Sequence, residues 1–258
     1  MKTVLLIGAG GGMGSACARL LSKDGYRVIG LDQRDADVAI DATDPESVAG
    51  AYRTVAAEGV SLDAIVYMAG VYDTDSLIEI DEARMRRIFE VNVLGAYRTV
   101  KAFFPLLAPQ GRVVLVTSEL APLDPLPFTG LYGITKGTLE DYAFSLAMEL
   151  QLLGVSVSVI RPGAVQTPLI DRSVERIESF TQNTAHYPNQ AKRFLYVTNK
   201  VESKSVPPEA VAKKLKKILS AKRPRFLYSL NSSPLLRLYG ILPKQWKLAA
   251  IKAYLKHR

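Results

Sequence analysis

Thr3-Val-Leu-Leu-Ile7, running directly into Gly8-Ala-Gly-Gly-Gly-Met-Gly14, is the stretch whose reading decides the architecture. An unbroken apolar run of this length suits a strand covered on both faces, as in a parallel sheet. Glycines let a turn be tight and let backbone approach a ligand closely. Met13 to Asp24 then reads as a helix stopped at Gly25. The start of that helix offers unpaired N–H groups and a partial positive charge, a setting that suits a pyrophosphate.

Outward from this unit, strands and helices alternate. Arg27–Leu31 reads as a second strand ended by Asp32, Asp37–Ile40 as a short third, and Pro45–Glu58 as a helix capped by Asp44. Leu62–Met68 is a fourth strand, Glu82–Leu107 a long helical pattern with a break inside it, and Arg112–Thr117 a fifth strand. Gly133–Leu153 is helical, Val155–Ile160 a sixth strand, Pro208–Ala221 a basic helix, and Phe226–Tyr228 a last strand. This alternation predicts an α/β doubly wound parallel sheet, a Rossmann fold. One domain over 1–258 accommodates the pattern, with an irregular polar insertion near 168–206 and a basic C-terminal helical extension over 230–258.

Composition excludes several classes. A single cysteine, Cys17, leaves no internal disulfide and points to a reducing compartment; its place in the first helix pattern reads as a buried thiol. His186 and His257 sit far from any cluster with metal-ligand spacing, so no metal is expected. The N-terminal apolar run is too short for a signal peptide, and no stretch is long enough to span a membrane, which suits a cytoplasmic protein. The net charge of +8 is uneven: Val201–Arg258 holds 14 Lys or Arg against two acids. No recognition motif accompanies that charge, so nucleic acid is not an expected partner.

Chemistry enters at Tyr132 and Lys136, four apart and therefore on one face of a helix. An ammonium beside a phenol favours the phenolate, making a proton donor or acceptor usable near neutrality. Asp32, at the end of the second strand, can accept hydrogen bonds from both ribose hydroxyls of NAD and would repel the extra phosphate of NADP, although Arg34 lies close. Asp41, after the third strand, could reach the adenine or cap the helix near Pro45.

Together these residues resemble the short-chain dehydrogenase/reductase (SDR) family. Gly8-x-x-x-Gly12-x-Gly14 matches the family turn and Tyr132-x-x-x-Lys136 its active-site pair. Ser118 lies 14 residues before the tyrosine, Asn92 matches the family asparagine, and Arg161-Pro-Gly163 with Thr167 resembles the segment that contacts the nicotinamide. The resemblance implies hydride exchange between NAD(H) and a secondary alcohol or ketone. Tyr132 would then be the acid or base, Ser118 would bind the same oxygen, Lys136 would tune the phenol, and Asn92 would link Lys136 to solvent through a water. It further implies cofactor contacts from Gly8, Gly12, Met13, Gly14, Asp32, Asp41, Ala69, Gly70, Tyr132, Lys136, Pro162, Gly163 and Thr167, and a homodimer or homotetramer. Two positions depart from the family: Ile7 stands where it has Thr, and Tyr67-Met-Ala-Gly70 where it has Asn-Asn-Ala-Gly. Their joint change implies that apolar packing replaces a polar tie between the first turn and the fourth strand.

Glu119–Phe128 joins serine to tyrosine, is stiffened by three prolines, and offers Leu120, Leu123, Leu126 and Phe128 either to a pocket for a hydrophobic, steroid-like or lipid-like substrate or to the core. Residues 168–206 suit a mobile lid. In the tail, Leu248, Ile251 and Leu255 recur at helical spacing among lysines, with Trp246 near the start. This describes an interfacial helix for peripheral contact with an anionic membrane, or a helix packed on its own domain or a partner subunit. A non-catalytic dinucleotide sensor or membrane-associated binder on the same fold is the alternative function; the complete Asn, Ser, Tyr and Lys set favours the enzyme.

Overall fold

The computed structural model describes residues 1–202 and 204–256, leaving aside the side chains of 169–173 and 199–202. His257 lies outside the described residues. The first strand, β1 (Thr3–Ile7), is buried along its whole length. Its side chains alternate between two cores: Leu5 and Ile7 join one cluster, Val4 and Leu6 the other. That two-sided burial is what an unbroken apolar strand requires, and it places β1 inside the sheet.

Seven strands form one sheet in the order β3-β2-β1-β4-β5-β6-β7, with every pairing parallel. The strands are β1, β2 (Arg27–Asp32), β3 (Val38–Ala39), β4 (Leu62–Tyr67), β5 (Leu107–Val116), β6 (Ser156–Pro162) and β7 (Leu227–Leu230). One face packs on α2 (Pro45–Ala57), α4 (Gly95–Phe103) and α5 (Gly130–Leu150); the other packs on α1 (Gly12–Lys23) and α8 (Glu209–Ser220). The chain reverses its direction of travel across the sheet between β1 and β4. A crevice at the strands' carboxyl ends opens at such a reversal, and the sequence-predicted site residues follow those ends. Cys17 is fully buried in the second core, where desolvation pushes its thiol up to about 12 and leaves it unfit as a nucleophile.

One expected feature takes a definite form and two differ from the sequence expectation. The break in the long helical pattern is a π-helical turn, Glu90–Leu94, between α3 (Glu82–Phe89) and α4. The Tyr132 helix begins at Gly130, three residues earlier than its pattern suggests, so Tyr132 stands in its first turn. The stretch 168–206, expected to be irregular, forms α6 (Pro168–Asn183) and α7 (Pro188–Glu202). A sparse apolar stripe explains those helices: Phe180, Tyr187, Ala191 and Phe194 gather around Phe128, with Phe128–Phe180 ring centroids 4.9 Å apart. Phe128 is therefore core rather than pocket wall, while Leu120, Leu123 and Leu126 stay partly exposed. The C-terminal extension is helical, as α9 (Pro234–Ile241) and α10 (Lys244–Lys256).

Candidate active site

The glycine turn is a cradle defined by what it lacks. Gly8 has φ +92°, and a Cβ there would stand 2.6 Å from the Ala69 backbone nitrogen. At Gly14 a Cβ would come within 2.0 Å of the Gly8 carbonyl oxygen. One at Gly12 would lie 2.9 Å from the Thr167 side chain, so residues far apart in sequence meet over this turn. Gly11 is the N-cap of α1 and provides no side-chain cap, leaving the first N–H groups of the helix to a ligand. Met13, partly buried, seats the helix on the second core. These residues fit the phosphates of a dinucleotide.

Asp32 ends β2 half-buried beside the cradle; its Oδ2 accepts from Gly10 N at 3.0 Å and its Oδ1 from Gln33 N at 2.7 Å. Asp41 is drawn into its own turn, accepting from Thr43 N at 2.8 Å and Thr43 Oγ1 at 2.7 Å, and those bonds hold its carboxyl below the usual range. The cap of α2 is instead Asp44, which accepts from Glu46 N.

Four side chains converge beyond β4, β5 and β6. Ser118 follows β5, is buried, accepts from Leu120 N at 3.2 Å and lies near enough to the Tyr132 phenol to favour its charged form. Lys136, one turn along α5, is only 4% exposed; its Nζ donates to the Val116 carbonyl at 3.1 Å and stands 5.8 Å from the Tyr132 ring centroid. Asn92, fully buried in the π turn, accepts from Val71 N at 2.8 Å and donates to Val71 O at 2.9 Å and Thr135 Oγ1 at 3.1 Å. Gly70 keeps the space between them open: a Cβ there would sit 3.2 Å from Lys136 Nζ and 3.3 Å from Asn92 Oδ1. On the opposite wall, Pro162 O accepts from Glu119 N at 2.8 Å, and Gly163 admits the Asn231 carbonyl, which a Cβ would meet at 2.1 Å.

The electrostatics revise one expectation. Although part of Tyr132 reaches the surface, desolvation dominates and pushes its phenol up to about 12, with Ser118 opposing the rise. Burial also brings Lys136 down to about 8. In the chain by itself the ammonium therefore does not depress the phenol as its spacing suggests; both groups are biased toward their neutral forms. Among the described residues no carboxylate pairs with Lys136.

Several supporting residues escape sequence reading. Arg161, at the end of β6, makes a two-pronged pair with Glu140 on α5, one bond being 2.6 Å from Nε to Oε2. Thr117 Oγ1 adds a bond to the same carboxylate at 3.2 Å. This fork fixes the tyrosine helix to the strand ends; Glu140, one turn past Lys136, shared its face all along. Tyr72 packs on Tyr132 in a tilted contact with centroids 4.8 Å apart.

Tyr67 is more unusual. It is fully buried, and its hydroxyl donates to the Val91 carbonyl in the π turn at 2.6 Å. Gly95 makes room for it, since a Cβ there would lie 2.6 Å from that hydroxyl. Burial holds the phenol well above its ordinary pKa, so it remains a donor. Ile7 and Met68 are both buried, but in the two different cores, and a polar tie runs instead from β4 to the turn carrying Asn92. Tyr67→Phe will lower stability by about 1–2 kcal/mol by orphaning that carbonyl, and will lower kcat because Asn92 loses its fixed turn. Calorimetry and turnover together check this: a drop in Tm with unchanged kcat would reduce Tyr67 to a structural role.

Known proteins resemble this chain in sequence and in fold. The sequence profile of the short chain dehydrogenase family matches residues 2–178. A relative from Rhodococcus sp. (strain AD45), the 1-hydroxy-2-glutathionyl-2-methyl-3-butene dehydrogenase, is 34% identical over 66% of this chain and 80% of its own. The 3-ketodihydrosphingosine reductase of Bacteroides thetaiotaomicron is 24% identical over 95% of this chain and 93% of its own. A short-chain dehydrogenase of Streptomyces avermitilis superposes with a TM-score of 0.75 at 22% identity, covering 98% of this chain and 94% of the other. With the cradle, the strand-end site and these matches in hand, the chain belongs to the short-chain dehydrogenase/reductase family of oxidoreductases, whose fold implies a nicotinamide dinucleotide cofactor.

Proposed function

We propose that this chain is an NAD-dependent oxidoreductase that interconverts a hydrophobic secondary alcohol and its ketone. The carrying observation is the Tyr132 phenol, beside Ser118 and one helical turn from a buried Lys136 at the carboxyl ends of the strands. The dinucleotide, when bound, supplies or takes the hydride. Carbonyl reduction builds negative charge on oxygen, so a proton donor and a second hydrogen-bond donor must converge there. Tyr132 gives the proton and Ser118 the second bond. Lys136 steadies the phenol's charge and holds the cofactor ribose. Lys136 and Asn92, which both approach Gly70, would pass the proton to solvent through a water.

Asp32 supports NAD over NADP because its partly exposed carboxylate stands beside the cradle where a ribose would lie. The partly exposed Leu120, Leu123 and Leu126 support an apolar substrate, as does likeness to a relative named for reducing 3-ketodihydrosphingosine. Helices α6 and α7 form the lid. Exposed Tyr97, Phe144, Met148 and Leu152 on and just after α4 and α5 support a homo-oligomer joined through those helices. The test offers a panel of hydrophobic secondary alcohols and ketones with each dinucleotide to the wild-type chain and to Asp32→Ala. Turnover with NAD(H), lost selectively in Asp32→Ala while NADP(H) use rises, is the expected result; no turnover of any alcohol or ketone with either dinucleotide sinks the reading.

A further inference from the structure

The C-terminal arm leaves an apolar face uncovered. On α9, Leu235, Leu238 and Ile241 are 71%, 58% and 79% exposed, at a spacing that puts them on one side of two turns. On α10, Trp246 and Leu248 are 67% and 65% exposed, flanking the buried Lys247 on its two sides. The inward side of α10 is already committed: Leu255 packs on the Phe128 cluster, and buried Lys247 donates to Asp124 Oδ2 at 2.9 Å. Between Pro234 and Lys256 the sequence carries five basic residues and no acid, and Arg237, Lys244, Lys252 and Lys256 are exposed.

From this we infer that the arm docks on an anionic lipid bilayer, with the leucine, isoleucine and tryptophan side chains in the interface and the cations against lipid headgroups. Partial burial of apolar side chains combined with headgroup attraction is the two-signal arrangement that reversible membrane binding needs, and tryptophan favours the headgroup level. A second copy is the poorer occupant. Arm against arm would crowd like charges into one seam, since the nearby acids Asp124 and Glu119 are already engaged by the arm's own Lys244, Lys247 and Ser233, and the exposed apolar face of α4 and α5 is the better subunit contact.

Position adds a purpose, which rests on the proposed apolar substrate. The arm is fastened to the loop joining Ser118 to Tyr132: Glu119 accepts from Ser233 N at 2.7 Å, and a Cβ on Gly240 would meet Leu123 Cδ2 at 3.0 Å. A docked arm thus sets the substrate loop at the bilayer, where an apolar alcohol or ketone partitions.

Trp246 is the chain's sole tryptophan, so its fluorescence reports the arm directly. The full chain is mixed with phosphatidylcholine vesicles and with vesicles containing phosphatidylglycerol, and followed by co-sedimentation and emission wavelength. Binding to the anionic vesicles with a blue shift, weakened by salt, is expected. The triple variant Leu235→Ser, Leu238→Ser, Ile241→Ser and the double variant Lys252→Glu, Lys256→Glu should each lose at least about tenfold in vesicle affinity, with circular dichroism and NAD binding unchanged. No sedimentation and no shift from a folded wild-type chain overturns the inference; so does a triple variant that loses oligomeric mass while wild type ignores vesicles, which would make the face a subunit contact. Vesicle binding is read without turnover, so its failure leaves the catalytic reading standing, and the reverse also holds.

Discussion

Tyr132→Phe lowers kcat by about 10²- to 10⁴-fold, the range that a positioned general acid or base supplies, while dinucleotide affinity stays unchanged. The substitution removes one oxygen and little else. The ring still fills its place against Tyr72, α5 still starts at Gly130, and the glycine cradle is untouched. Ser118 remains to polarise the substrate oxygen but has no acidic proton to give. The sign of the pH dependence follows from the phenol's position near about 12 in the chain alone. Reduction uses the neutral phenol and stays level through neutral pH. Alcohol oxidation uses the phenolate and rises toward alkaline pH. Initial rates in both directions, with dinucleotide binding by fluorescence or calorimetry, check this; a phenylalanine variant with full kcat removes Tyr132 from the chemistry.

The legible parts of this molecule were those set by local rules. Two-sided burial of β1 is written in Thr3–Ile7, and the i, i+4 spacing of Tyr132 and Lys136 brings them to one face before any tertiary contact forms. Even the break in the helix carrying Asn92 shows as a flaw in periodicity, although a π turn is settled by what its freed carbonyl meets, here the hydroxyl of Tyr67, 24 positions away. Contacts of that reach escape reading by window. The Arg161–Glu140 fork spans 21 positions and only registry between β6 and α5 reveals it. The helices over 168–206 were hidden because few apolar residues, meeting one distant phenylalanine, suffice to order a polar stretch. Electrostatic balance was hidest of all to sequence: spacing says that an ammonium favours a phenolate, while burial, which spacing cannot see, moves both groups the other way.

That balance makes Lys136→Met the most revealing substitution for stability: turnover falls by about 10²-fold or more, as loss of proton-transfer support implies, and the fold gains. A near-isosteric thioether replaces a buried cation with no carboxylate partner. The ammonium is brought from 10.5 down to about 8, and at about 1.4 kcal/mol per pH unit, less the lost bond to Val116 O, the gain is on the order of 1–3 kcal/mol. In a domain of this size each kcal/mol is worth about 2–4 °C in Tm. The sign with pH is fixed by linkage. A folded-state pKa below the unfolded one means that stability tied to Lys136 is fully present above the unfolded value of 10.5 and is lost as pH falls through about 8. The advantage of the methionine variant is therefore largest at and below neutrality, and it shrinks as pH climbs through the window between those values. Thermal melts of both chains across that window give the answer. A variant less stable than wild type at neutral pH would mean that the buried ammonium is compensated, and the idea that the site holds its lysine at the expense of the fold would fail.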